Sequence, residues 1–218
     1  MPTDQNDPHA GQPVLAAGEP MESAKAVMIM LHGRGADARD IVGLASVINR
    51  PGIAYLAPDA AGNAWYRNSF MSPGVRAEPA LASALGVVAR LLQHAADEEV
   101  PAERVALLGF SQGGCLATEF AARNPRRYGA IFGLSAGLIG ERITPSEYSG
   151  SLASTPVFLG CSDVDPFIPL PRVKETAAIF GQLGAEVTER IYPGAGHTIL
   201  RDEVEQIRTI LDKMLAGN

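Results

Sequence analysis

The stretch Leu107-Leu108-Gly109-Phe110-Ser111-Gln112-Gly113-Gly114-Cys115 decides the fold. An apolar run feeds straight into a serine flanked by glycines, and then into helix formers. Val105 to Leu108 reads as a buried strand after the polar Pro101-Ala102-Glu103-Arg104, and Cys115 to Arg123 as a helix halted by Asn124-Pro125. So tight a turn crowds the positions two residues either side of the serine, which suits Gly109 and Gly113. Strand, serine, helix is the arrangement of a nucleophile elbow, where a strained backbone presents a hydroxyl at the strand's end. The bare pattern G-x-S-x-G is weak, and its flanking strand and helix give it weight.

Outward from the elbow the same alternation continues. Ala26 to Leu31 is a continuous apolar run, as expected for a parallel strand covered on both faces, and it ends in His32-Gly33-Arg34-Gly35. Asp37 predicts the cap of a helix whose Ile41, Val42, Leu44, Ala45, Val47 and Ile48 form an apolar stripe, up to the breaker Pro51-Gly52. Ile53 to Ala57, Ala130 to Leu134 and Pro156 to Gly160 are further strands, and Glu186 to Tyr192 alternates as another. Helices are predicted from Pro79 to about Ala96, from about Pro171 to Leu183, and over a final segment with Val204, Ile207, Ile210, Leu211 and Met214 inward. Val14-Leu15-Ala16 adds an edge strand.

The expectation is an α/β fold with a mostly parallel central sheet and helices on both faces. Residues 1–11, with prolines and acids but no periodicity, are expected to form a flexible tail, and residues 12–218 one domain. Ligands of such sheets bind at the carboxyl ends of the strands. The HGRG turn, the long segment Pro58 to Pro79, Ser111, the Asp163/Asp165 loop and His197 all follow strands, so all reach one edge.

The chain of 218 residues is 46% hydrophobic with a net charge of −6 and a pI near 5.2. That balance offers no basic face to nucleic acid. No run approaches the ~18 apolar residues of a membrane span, and the polar start Met1 to Gln12 reads as neither signal nor transit peptide. A cytoplasmic protein without stable membrane insertion, monomer or homodimer, is expected. Cys115 and Cys161 show neither zinc-site nor disulfide spacing and read as packed, reduced thiols. No metal or cofactor motif is visible.

A serine hydroxyl needs a base within hydrogen-bond reach, usually a histidine backed by a carboxylate. His9 lies in the tail and His94 on a helix, both read as solvated or partly packed. His32 reads as a structural turn residue, with a role as base the alternative. His197 stands on the glycine-flanked loop after the last strand, and the order Ser111, acid, His197 is the one this architecture requires. Asp163 and Asp165 are both candidates for the acid. Pro166 favours Asp165 mildly by fixing the backbone beyond it, which leaves the other aspartate to cap the turn. The oxyanion donors are expected to be the backbone N–H groups of Gln112 and of Arg34. The Gln112 side chain carries no role in this reading, so Gln112→Ala is expected to be mild. The Arg34 side chain is read either as an anion-binding group or as half of a surface ion pair. Trp65, Tyr66, Phe70 and Met71 are read as lining a substrate pocket, with pinning of their loop to the body as the alternative.

With these residues placed, the chain resembles the phospholipase/carboxylesterase family of α/β-hydrolases. Met30-Leu31-His32-Gly33-Arg34-Gly35, Ala57-Pro58, Trp65-Tyr66, Gly109-Phe110-Ser111-Gln112-Gly113-Gly114, Asp163-Val164-Asp165-Pro166-Phe167-Ile168-Pro169 and Gly196-His197 fall in that family's order. The resemblance implies Ser111 as nucleophile, Asp165 rather than Asp163 as acid, His197 as base, and Arg34 and Gln112 amides as the oxyanion hole. Acyl-protein thioesterases of the family carry an apolar residue where Arg34 stands, so the resemblance points to the bacterial esterase branch. It implies a cofactor-independent esterase acting on small-molecule carboxylic esters. The alternatives are a thioesterase or lysophospholipase for long acyl chains, and a ligand-binding relative without turnover.

Overall fold

The computed structural model describes residues 7–217. Seven strands form one sheet in the order β1(Val14–Gly18), β3(Ile53–Pro58), β2(Ala26–Leu31), β4(Val105–Phe110), β5(Ala130–Leu134), β6(Pro156–Ser162), β7(Glu186–Tyr192). Only β1 runs antiparallel, paired to β3; every other pairing is parallel. The register aligns Leu31 with Gly109, so the turn after β2 and the elbow after β4 emerge side by side.

Side chains alternate across the sheet and feed two cores. Val27, Ile29 and Leu31 face α2(Pro79–Asp97), α3(Gln112–Arg123) and α4(Leu170–Gln182), whereas Ala26, Met28 and Met30 face α1(Ala38–Ile48) and α5(Arg201–Ala216). β2 is therefore wholly buried, which is why its sequence is unbroken apolar. Asp37 caps α1, its Oδ1 accepting from the Arg39 amide at 2.8 Å, while Asp40 accepts from the Asp37 amide at 3.0 Å. Val47, expected on the buried stripe, is half exposed, because the stripe of this helix is narrower than its count of apolar residues suggests.

At the elbow Ser111 has φ 54° and ψ −120°, a left-handed backbone costly for any residue with a Cβ. A Cβ on Gly109 would lie 2.3 Å from the carbonyl carbon of Gly113, and one on Gly113 would lie 2.2 Å from the carbonyl oxygen of Leu31. Both positions accept only glycine, on grounds of close approach. The polar excursion Ser135 to Ser154 is held by charge: fully buried Glu119 accepts from the Ile139 amide at 2.9 Å and from Arg123 at 2.6 Å. Buried Arg172 donates to the carbonyls of Leu138 and Gly140, each at 2.8 Å. Both charges are matched by several hydrogen bonds, the condition for burying them.

The start of the described chain corrects an expectation. His9 is buried: its Nε2 donates to the Trp65 carbonyl at 2.9 Å and its Nδ1 accepts from the Ala61 amide at 3.0 Å. The His9 amide also donates to Ser83 Oγ at 3.0 Å. Residues 7–11 are thus docked, because backbone groups of a distant loop receive the imidazole. The rest of the expected tail, residues 1–6, lies outside the described residues. His94, as expected, is exposed. No helix among the described residues is long and apolar enough to cross a membrane.

Candidate active site

His197, on the loop between β7 and α5, donates from Nδ1 to Asp165 Oδ2 at 2.7 Å. Asp165, on the loop after β6, has a side chain fully shielded from solvent and takes two further N–H donors on Oδ1, Phe167 at 2.9 Å and Ile168 at 3.0 Å. Burial alone would raise its pKa, but the His197 ring N–H and these two amides outweigh burial and hold the carboxyl below its ordinary value. Asp163 instead accepts from the Gly194 amide at 2.8 Å, tying the acid loop to the histidine loop. Ser162 Oγ reinforces the tie by accepting from the Gly196 amide at 3.1 Å. Of the two candidate aspartates, only Asp165 faces the imidazole.

With Nδ1 committed to Asp165, His197 presents Nε2 to a cavity of about 570 Å³ that Ser111 also lines. Ser111 Oγ makes no hydrogen bond among the described residues, so serine and histidine share a wall rather than a bond. The Gln112 amide is in the first turn of α3, where N–H groups lack intrahelical acceptors. The Arg34 amide bonds to no group among the described residues. Both residues line the same cavity. His32, also in the wall, is structural: Nδ1 donates to the Gly33 carbonyl at 2.8 Å and Nε2 accepts from the Ala60 amide at 3.1 Å.

Four residues of the cavity wall, Tyr66, Phe70, Cys115 and Ile168, belong to the larger core, and none of the four is more than 7% exposed. Ile41, Phe110, Phe167 and Ile199 line the same cavity together with His197. There the rings of Phe110 and Phe167 stand 4.8 and 4.9 Å from the imidazole, the second edge-on. Phe167 is 65% exposed. Neither phenylalanine is marked by the sequence, since a lone Phe beside a motif residue looks like core.

Four side chains depart from their expected roles. Trp65 and Met71 do not line the cavity. Trp65 is fully buried between His9 and His32, ring centroids 5.6 and 4.9 Å away, and its indole N–H donates to the His32 carbonyl at 2.9 Å. Met71 packs half-buried on the larger core. Arg34 forms no ion pair among the described residues: its guanidinium donates to the carbonyls of Tyr66, Arg67 and Asn68 at 2.7 to 2.9 Å, clasping the aromatic loop. Gln112 clasps the same loop from inside. Its Oε1 accepts from the Trp65 amide at 3.0 Å and its Nε2 donates to the Tyr66 carbonyl at 2.8 Å. Of the expected pocket residues, Tyr66 and Phe70 do form the wall.

Cys115 lines the cavity and burial pushes its thiol up to about 12, while Cys161 is raised as far, by burial and by Asp165 beside it. Both thiols are inert at neutral pH. Among the described residues no cluster of His, Cys, Asp or Glu could hold a metal ion.

The family model for phospholipase/carboxylesterase matches residues 13–215. A phospholipase/carboxylesterase structure from Dyadobacter fermentans is similar with a TM-score of 0.89 and 40% identity, over 92% of this chain and 97% of that one. The structure of esterase PE8 follows at 0.75 and 25%, over 93% and 98%. An acyl-protein thioesterase 1 from Gibberella zeae is 31% identical over 130 residues, 57% of this chain, and the match spans about half of that relative's length, 54%. Sheet, elbow, loop order and a match across nearly the whole chain agree: the protein has the α/β-hydrolase fold and belongs to the phospholipase/carboxylesterase family, a family of serine hydrolases.

Proposed function

We propose that the protein hydrolyses small carboxylic esters through an acyl-enzyme on Ser111, with His197 as base and Asp165 as its orienting acid. The observation that carries this reading is the 2.7 Å Asp165 to His197 contact, which fixes the imidazole with Nε2 toward the cavity that holds the strained Ser111. Ser111 Oγ attacks the ester carbonyl as Nε2 takes its proton. The oxyanion formed is met by the Arg34 and Gln112 amides, and collapse expels the alkoxide, which leaves with the proton from Nε2. Water, deprotonated by the same nitrogen, then cleaves the acyl-enzyme and restores the serine. Asp165 stays ionised throughout, stabilising the imidazolium.

The deeply buried Tyr66, Phe70 and Cys115 in the cavity wall support a short acyl group over the long chains of a thioesterase or lysophospholipase. Labelling with a fluorophosphonate, lost in Ser111→Ala, tests the nucleophile. Hydrolysis of a C2 to C16 acyl series tests the acyl preference, and a maximum at long chains would reverse it.

A further inference from the structure

The cavity wall around His197 bears on a substrate half that the nucleophile and its partners leave undefined. Four large apolar side chains are conspicuously exposed in the described chain: Val14, Val47, Val164 and Phe167. Two of these lie three residues apart on the acid loop, and Phe167 is the most exposed of all at 65%. Its ring is not idle. It meets His197 edge-on at 4.9 Å and, being exposed, lines the cavity at its mouth; Phe110, whose ring lies 4.8 Å from the same imidazole, lines the cavity too. An aromatic side chain left in water at the rim of a pocket favours apolar cover, and a ring covers a ring well in offset or edge-on contact.

Which part of an ester reaches that rim follows from proton transfer. His197 must hand the proton from Nε2 to the departing oxygen, so the alcohol half lies on the imidazole's side of Ser111, beside Phe110 and Phe167, whose rings flank it. The acyl half is left with the buried part of the wall, Tyr66, Phe70 and Cys115. We propose that the phenylalanine pair at the mouth is a leaving-group subsite for a planar aromatic alcohol, with Phe167 as a specificity-determining residue. This assignment rests on the esterase reading above. Of the Arg and Asp side chains that line the cavity, Arg34 is spent on three carbonyls and Asp40 accepts from the Asp37 amide, so the site makes no demand for charge on that alcohol.

The test compares benzyl acetate with ethyl acetate by proton release, because the two alcohols have similar acidity and share one acyl group. In wild type the kcat/KM ratio of benzyl to ethyl is expected to be about tenfold or more, a gain of ~1.4 kcal/mol in transition-state contact. Phe167→Ala should cut that ratio at least about fivefold, and Phe167→Tyr, which keeps the ring, should retain it. Position 167 is an exposed loop site, so both variants should fold. A wild-type ratio near one overturns the subsite, as does a ratio that Phe167→Ala leaves unchanged. Failure of every ester to react, or hydrolysis persisting in Ser111→Ala, marks a different failure: the esterase reading falls, and the subsite with it.

Discussion

Gln112 holds the backbone of Trp65 and Tyr66 with both ends of its amide, accepting at Oε1 and donating at Nε2. Trp65 belongs to the loop that walls the cavity, and Gln112 directly follows Ser111. The clasp therefore joins the pocket wall to the elbow itself.

Gln112→Ala strands a buried N–H and a buried carbonyl, each costing ~1–3 kcal/mol. At about 2–4 °C per kcal/mol for a chain of this size, the melting temperature should fall by at least ~4 °C. Differential scanning calorimetry checks this. The expectation from sequence, a mild effect, overlooks the side chain; a variant melting within a degree of wild type would restore it.

Asp165→Asn and Asp163→Asn separate the two aspartates. The first leaves an amide where the imidazole needs a carboxylate, and kcat should drop by roughly 10³ to 10⁴. The second loosens one loop-to-loop hydrogen bond to Gly194, worth about 1 kcal/mol, so kcat should stay within about threefold. Equal losses in steady-state assays would remove the distinction.

Gly113→Ala should fail to give folded protein, or give one melting far lower, because the added Cβ would meet the Leu31 carbonyl oxygen at 2.2 Å. Gly35→Ala meets no neighbour within 4 Å and carries only the strain of φ +80°, costing ~1 kcal/mol. Solubility and circular dichroism of the pair should differ plainly.

Glu203, on the first turn of α5, is buried with its Oε2 accepting from the Leu200 amide at 2.7 Å. Burial outweighs that bond and pushes the carboxyl up to about 7. The folded state then binds a proton that the unfolded chain releases near its ordinary 4.5, so this group's contribution to stability is full below about 4.5 and is lost as pH rises through about 7. Glu203→Gln should melt higher than wild type at pH 8 and close to it at pH 5. A stabilisation independent of pH would contradict the assignment.

His9 shifts stability in the opposite sense. Burial lowers its pKa, against the pull of the Trp65 carbonyl and Asp7, so the folded state resists a proton that the unfolded chain accepts below about 6.5. Stability contributed here is present above that value and is lost as pH falls. His9→Gln should shrink the drop in melting temperature between pH 7 and pH 5.

Much of this was legible beforehand, for reasons that differ by element. β2, β5 and β7 begin and end on the predicted residues, because unbroken apolar or alternating runs stop there at turn formers. Ser111 and His197 reach one cavity because parallel strands end at one edge. What escaped is side chain to backbone contact over long separations. His9 meets groups 52 and 56 residues away, and Gln112 groups 46 and 47 away. Such partners are carbonyls and amides that every residue owns, so no spacing marks them. The choice between Asp163 and Asp165 escaped the residues themselves for a related reason: the amides of Phe167 and Ile168 orient the second carboxylate.

Trp65 is the chain's single tryptophan, fully buried with its indole N–H bonded to a carbonyl and an imidazole on either side. The molecule therefore carries one optical reporter at the junction of its docked N-terminal segment, the turn after β2 and the pocket wall. Its emission reads that junction without any label, and undocking of residues 7–11 would register as a red shift while the rest of the sheet stays folded.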